Sequence, residues 1–228
     1  MEKIILIETS TALCSTALIE DGRITAYREH MKEHAALTAP FVKEMLDEKG
    51  LSVKDCDAVC VSMGPGSYTG LRVGVSTAKG LCFGAGKPLM AISSLETLVW
   101  QAKDEHLVPE DCRYIIPMID ARRMEVYTAV FTPDGERLGE VEPKIIGSES
   151  FAAELAEGKV LFIGDGAGKC EGTITSPNAI FHQCHPKASG LLQPAMKAYK
   201  EKQFKDLAYF EPLYVKEFVA TVSKKKLF

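Results

Sequence analysis

Ser62-Met63-Gly64-Pro65-Gly66-Ser67-Tyr68-Thr69-Gly70-Leu71-Arg72-Val73-Gly74 decides how this chain folds. The apolar run at 58–61 before it reads as a buried strand. The residues after it place Leu71, Val75, Ala78, Cys82 and Ala85 at helical spacing. A strand, a Gly-Pro-Gly turn and a helix start form a place where backbone N–H groups point at an anion or at another backbone. Gly66, Gly70 and Gly74 are four apart and Ala78 continues the row, with Gly80 and Gly84 as a second small pair. Residues at i and i+4 share a helix face, so this helix has a strip almost without side chains. Glycine in a helix interior costs up to about 1 kcal/mol relative to alanine, so a close contact must offset it. That contact is either packing inside the chain, against a helix or the sheet, or the approach of another protein.

Working outward, residues 3–9, 15–20 and 23–29 read as three antiparallel strands, the last two joined by the Asp21-Gly22 hairpin turn. Residues 34–49 read as an amphipathic helix with Leu37, Phe41, Val42, Met45 and Leu46 in one stripe and Gly50 as its stop. Pro40 leaves a later start near Leu37 open. Residues 89–92 form a fifth strand, and Ser93 or Ser94 caps a third helix. The order β-β-β-α-β-α-β-α is that of the ribonuclease-H-like half that builds actin-like ATPases and sugar kinases. The second half begins again, with strands near 113–119 and 125–132, a Pro133-Asp134-Gly135-Glu136 turn into a third, and a helix over 148–156 capped by Ser148. A strand over 160–163 ends in Gly164-Asp165-Gly166-Ala167-Gly168, and a helix covers about 189–202. The fold class is α/β, with two similar halves at 1–104 and 105–228, the second shortened.

The 228 residues are 46% apolar and 25% charged, with a net charge of −4. No overall basic field exists to hold nucleic acid, so any RNA contact is local or made through a partner. Seven cysteines at 14, 56, 60, 82, 112, 170 and 184 include no Cys-x-x-Cys and read as buried free thiols in a reducing cytosol. The apolar run at 4–7 is too short for a signal peptide or a membrane span, which suggests a cytoplasmic protein. Lys224-Lys225-Lys226 reads as a solvated end.

Several blocks resemble the TsaB (YeaZ) family: Ile4-Ile5-Leu6-Ile7-Glu8-Thr9-Ser10, Gly64-Pro65-Gly66-Ser67-Tyr68-Thr69-Gly70-Leu71-Arg72, Thr77-Ala78-Lys79-Gly80-Leu81, Ser93-Ser94-Leu95-Glu96, Asp120-Ala121-Arg122-Arg123-Met124-Glu125-Val126-Tyr127 and Gly164-Asp165-Gly166. They run in order over about 4–170, with a weaker echo at Glu211-Pro212-Leu213-Tyr214-Val215. The resemblance implies a shortened actin-like fold and a non-catalytic subunit that pairs with its catalytic homologue TsaD and is joined by the ATPase TsaE. That complex transfers threonylcarbamoyl from threonylcarbamoyl-AMP to the adenosine 3′ of the anticodon in tRNAs reading codons that begin with A. It implies a homodimer when alone, tRNA contact through the complex, and pairing through the first helices of the fold.

Actin-like ATPases need a carboxylate at the end of the first strand, followed by residues that cradle a phosphate. Glu8 stands there, followed by Thr9, Ser10 and Thr11, but no glycine permits close backbone approach. The alternative is a partly buried acid accepting backbone N–H bonds. Asp120 opens the second half, with Arg122 where such enzymes carry glycine, free to pair with Glu8 or Glu125. Gly164, Asp165 and Gly166 are candidates for an adenosine loop, although the stretch lacks P-loop spacing. These residues form a vestigial nucleotide site, with no catalytic residue, no tightly bound cofactor, and ATP or ADP at most at the partner interface.

The metal-binding His-x-x-x-His of TsaD corresponds to Ser94 and Leu98, which points to no metal site. His182 and His185 read as loop residues. No Gly-x-Ser-x-Gly elbow surrounds Ser67, so a peptidase is not supported. The alternative to the scaffold is a stand-alone kinase or ATPase of the same fold. The partner surface is expected at Leu37, Phe41, Met45, Gly70, Gly74 and Ala78, where two helices would meet two equivalent helices of a homologue.

Overall fold

A computed structural model describes residues 2–216. Lys224-Lys225-Lys226 lies outside them. Strands β1 (Lys3–Glu8), β2 (Leu13–Glu20) and β3 (Arg23–Met31) form an antiparallel meander. Strand β4 (Ala58–Ser62) then pairs parallel with β1, and β5 (Leu89–Ile92) parallel with β4, giving the order β3-β2-β1-β4-β5. The second sheet repeats this with β6 (Cys112–Asp120), β7 (Glu125–Thr128), β8 (Glu142–Ile145), β9 (Lys159–Ile163) and β10 (Ala179–His182). Strands β6 to β8 meander, β9 runs parallel to β6 and β10 parallel to β9, so the order read from β8 is β8-β7-β6-β9-β10.

The helices follow the apolar stripes. Helix α1 (His34–Glu48) begins at residue 34 with Pro40 inside it; Ala36 N–H and Leu37 N–H both donate to Glu33 O, fixing the first turn ahead of the proline. Helix α2 (Tyr68–Ala85) is capped by Ser67, whose hydroxyl accepts from Gly70 N–H, and ends at Gly86 in the left-handed conformation. Val42 and Leu46 of α1 and Val75, Ala78 and Cys82 of α2 cover Ile5, Ile7, Val59 and Val61 on one face of the first sheet. Helix α3 (Ser94–Asp104), capped by Ser93, places Leu95, Leu98 and Val99 against Ile115, Ile119 and Leu161 of the second sheet.

The chain departs from a clean cut at 104/105. Helix α5 (Leu192–Lys200) and the 3₁₀ turn before it return to the first sheet, where Ala188, Leu191, Ala195 and Ala198 meet Ile4, Leu6, Ile19 and Met90. The turn Ala188–Leu191 is 3₁₀, so the single helix expected over 189–202 is two pieces. Strand β7 stops at Thr128, yet Phe131 still exchanges both backbone hydrogen bonds with Ile115, at 2.9 and 3.0 Å. Helix α4 (Ala152–Glu157) starts after Phe151 rather than at Ser148, because Ser150 Oγ accepts from Gly147 N–H and holds the preceding turn.

The glycine strip is internal. A Cβ at Gly66 would overlap Ser10 O, one at Gly70 would overlap Thr9 O, and one at Gly74 would overlap Thr9 Oγ1. Gly70, Gly74 and Ala78 are buried, so α2 lies directly on the end of β1. Gly74→Ala is therefore expected to lower unfolding stability by about 1–3 kcal/mol despite the better helix propensity of alanine. Adding Thr9→Ala removes the obstructing hydroxyl and should return part of that loss. Denaturant unfolding of both single variants and the double variant checks this, and strictly additive losses would contradict the contact.

Candidate functional site

The site is the seam where the ends of β1 and β6 face one another. On the first side, Glu8, Thr9 and Ser10 are fully buried. Ser10 N–H donates to Glu8 Oε1 at 2.7 Å, while Glu8 Oε2 and Ser10 Oγ have no partner among the described residues. Ser62 Oγ lies 2.6 Å from Ser94 Oγ. Burial pushes the Glu8 carboxyl above its ordinary 4.5, and the bond from Ser10 N–H opposes the rise without reversing it. Thr9 Oγ1 donates to Gly70 O at 2.8 Å and Ser67 N–H donates to Ser10 O at 2.6 Å. Of the two targets open to the loop's N–H groups, Ser67 takes the backbone one.

On the second side, Asp120 Oδ1 accepts from Arg122 N–H at 2.8 Å and pairs with Lys169. Lys169 Nζ also donates to Arg123 O and Glu125 O, both at 2.7 Å, so it ties the loop after β9 to the β6–β7 turn. The expected pairing of Arg122 with Glu8 or Glu125 does not form. Arg122 is exposed at φ 70°, Glu8 is sealed in the other half, and Glu125 pairs with Lys216. Asp165 Oδ1 accepts from Asp120 N–H at 3.0 Å, and burial raises its carboxyl. The candidate adenosine loop is packed onto β6. A Cβ at Gly164 (φ 133°) would overlap Met118 O, and one at Gly166 would come within 2.9 Å of Val126.

Two residues to which the sequence reading gave no role complete the seam. Gln183 closes the Gly164–Gly168 loop, accepting from Gly168 N–H at 2.6 Å and donating to Asp165 O at 2.9 Å. His185, read as a loop residue, bridges the halves: its Nδ1 lies 3.1 Å from Thr11 Oγ1 and 3.9 Å from Asp165 Oδ2. Both follow β10, whose four residues carry too little pattern to be read as a strand.

Ser94 and Leu98 are fully buried, with Leu98 in the core of the second half. Among the described residues, no group of three His, Cys, Asp or Glu is placed to hold a metal. Ser67 Oγ serves as the α2 cap, accepting from Gly70 N–H at 3.3 Å. The expected partner residues divide. Leu37 and Phe41 are half-buried on α1, but Met45 is fully buried, with Thr16 Oγ1 donating to its sulfur at 3.7 Å. Gly70 and Gly74 pack against Thr9 and Ala78 is buried, so within the single chain this strip is covered from inside. The outward side of α2 instead carries Val73, Thr77, Gly80 and Phe83, the last 84% exposed.

Twin sheets of this order, joined at the ends of their first strands, define the actin-like ATPase superfamily. A family model described as "TsaD: tRNA N6-adenosine threonylcarbamoyltransferase" matches residues 28–224. The chain is 29% identical to the tRNA threonylcarbamoyladenosine biosynthesis protein TsaB of Escherichia coli K12 over 229 residues, covering 96% of each. It superposes with a TM-score of 0.83 on a Pseudomonas aeruginosa structure described as similar to the peptidase YeaZ, at 28% identity over 95% of this chain and 100% of that one. A likeness to component A of (R)-2-hydroxyglutaryl-CoA dehydratase from Acidaminococcus fermentans extends to the fold alone, with a TM-score of 0.52 at 10% identity over 89% of this chain and all of that one. This chain belongs to the TsaD family, on its TsaB (YeaZ) branch.

The buried Glu8 gives a pH test. Its folded value lies above the ordinary 4.5, so the fold favours the protonated acid. Its contribution is full below the unfolded value and is lost as pH rises toward the folded one. Glu8→Gln keeps the shape and cannot ionise. Melting temperatures from pH 4 to 9 should show the variant gaining on the parent chain as pH rises; a constant difference would contradict a carboxyl raised by burial.

Proposed function

We propose that this chain is the non-catalytic dimerisation and activating subunit of the complex that transfers threonylcarbamoyl from threonylcarbamoyl-AMP to the adenosine 3′ of the anticodon, in tRNAs reading codons that begin with A. One observation carries the non-catalytic part. The space where an actin-like enzyme cradles phosphate is occupied by the chain itself, with α2 seated on Thr9 and Ser10 and with Asp120 held by Lys169. A stand-alone kinase would need a free carboxylate as general base at this seam. Glu8 is sealed and Asp120 is paired, which argues against that reading.

The partners are the catalytic homologue TsaD, the ATPase TsaE, a second copy of the chain when alone, and tRNA through the complex. ATP or ADP would sit only at the partner interface. That interface uses Leu37 and Phe41 of α1 with Val73, Thr77, Gly80 and Phe83 of α2. Gly80 has open space where a side chain would stand, which lets a facing helix approach. A homologous partner presents the same pair of helices, so one surface serves both a homodimer and a pseudo-symmetric heterodimer. Among the described residues no helix is long and apolar enough to cross a membrane, and the reading places the work in the cytoplasm.

Phe41→Asp and Phe83→Asp should each weaken self-association and pairing with TsaD by at least about tenfold, as expected for a truncated interface anchor. Tyrosine- and helix-region circular dichroism should be unchanged. Threonylcarbamoyl transfer by the reconstituted complex should fall in parallel. Sedimentation and transfer assays at parental strength in folded variants would place the interface elsewhere.

A further inference from the structure

Tyr68 and Arg72 belong to the glycine-rich block, yet neither is needed for the close packing that explains its glycines. They lie on the outer side of α2, beside a strap formed by residues 205–214. The strap is fixed: Lys205 N–H donates to Leu89 O at 2.8 Å and Leu213 N–H to Met63 O at 2.7 Å. Lys79 Nζ reaches across from α2 to Phe210 O at 3.1 Å and Ala208 O at 3.4 Å. Between helix and strap runs an open groove of about 400 Å³, with Arg72 and Lys79 on one wall and Glu211, Pro212 and Tyr214 on the other.

The guanidinium of Arg72 is oriented by aromatic rings. It sits 4.2 Å from the centroid of Tyr68, and its Nε donates to Tyr214 Oη at 3.4 Å. The two tyrosine rings are 4.9 Å apart. Among the described residues Arg72 has no ion pair at its terminal nitrogens, which leaves the forked end for an oxyanion. Tyr214 keeps 36% of its surface exposed.

The geometry points to a contact site for unpaired RNA in this groove. A base stacks on the exposed part of the Tyr214 ring, beside the guanidinium that Tyr214 Oη orients, as bases do on aromatic rings. The adjacent phosphate takes the terminal N–H groups of Arg72, and Lys79 adds a second positive charge. The Glu211 carboxylate accepts from a ribose 2′-hydroxyl, a donor that DNA lacks. An acidic peptide would meet Arg72 but gain nothing from stacking on Tyr214. With a net charge of −4 the chain has no general attraction for RNA, so a local site of this kind is the form a contact must take. The inference rests on the tRNA reading above for the identity of the RNA.

The test is fluorescence anisotropy of the full chain with a labelled stem-loop RNA carrying an unpaired loop, over a range of salt. The DNA of the same sequence and a polyglutamate peptide serve as competitors. Arg72→Gln should weaken RNA binding and reduce the slope of log affinity against log salt by about 1. Tyr214→Leu should weaken it about tenfold, the loss of one stacked base. RNA should outcompete DNA and the peptide. Folded variants that bind RNA like the parent chain, or a peptide that displaces RNA at equal concentration, would overturn the site. Transfer by the reconstituted complex separates the two readings. Parental RNA binding by Arg72→Gln, with the chain still stimulating transfer, removes the groove and leaves the tRNA role. RNA binding lost in Arg72→Gln, with no stimulation by the parent chain, keeps the groove and removes that role.

Discussion

The contact between the bare face of α2 and the end of β1 constrains everything else in this molecule. Gly66 and Gly70 allow backbone to meet backbone at Ser10 and Thr9, and Gly74 makes room for the Thr9 side chain. Interior glycines weaken a helix, and here the cost is offset by the Thr9 Oγ1 bond to Gly70 O and by burial of Val75, Ala78 and Cys82 on the sheet. The same contact determines what the loop can bind. Its Ser67 N–H is directed at the Ser10 carbonyl. It also turns the opposite side of α2, with Phe83 and Arg72, toward solvent.

The two halves repeat a topology but answer the problem of a carboxylate at a strand end differently. Glu8 is enclosed, and burial favours its neutral form. Asp120 is exposed and is neutralised by Lys169, which also holds two carbonyls of the β6–β7 turn. In an active member of this fold both groups would face the same ligand. Here each is turned to structural use, and His185 links the two sides through Thr11 and Asp165.

Much of this was legible in the residues. Alternating and continuous apolar runs give β1 to β5 almost to the residue, and the Asp21-Gly22 turn fixes the meander. The glycine spacing announces a close approach, but spacing cannot say what approaches: Gly74 meets Thr9, sixty-five positions earlier, and only the paired sheets reveal that. Met45 shares a stripe with Leu37 and Phe41, yet it is fully buried against Thr16 of β2 while they are half-buried. The seam was half visible. Glu8, Asp120 and Asp165 stand at recognisable strand ends, whereas Lys169, Gln183 and His185 come from irregular segments whose partners are set by tertiary folding.

The central claim is that the seam is closed to nucleotide by the chain's own backbone. Titration calorimetry of magnesium ATP into the isolated chain tests it directly. The account predicts heats no larger than dilution through the micromolar range. Saturable binding with a micromolar constant, lost when Glu8 or Asp120 is replaced by alanine in a folded variant, would contradict it.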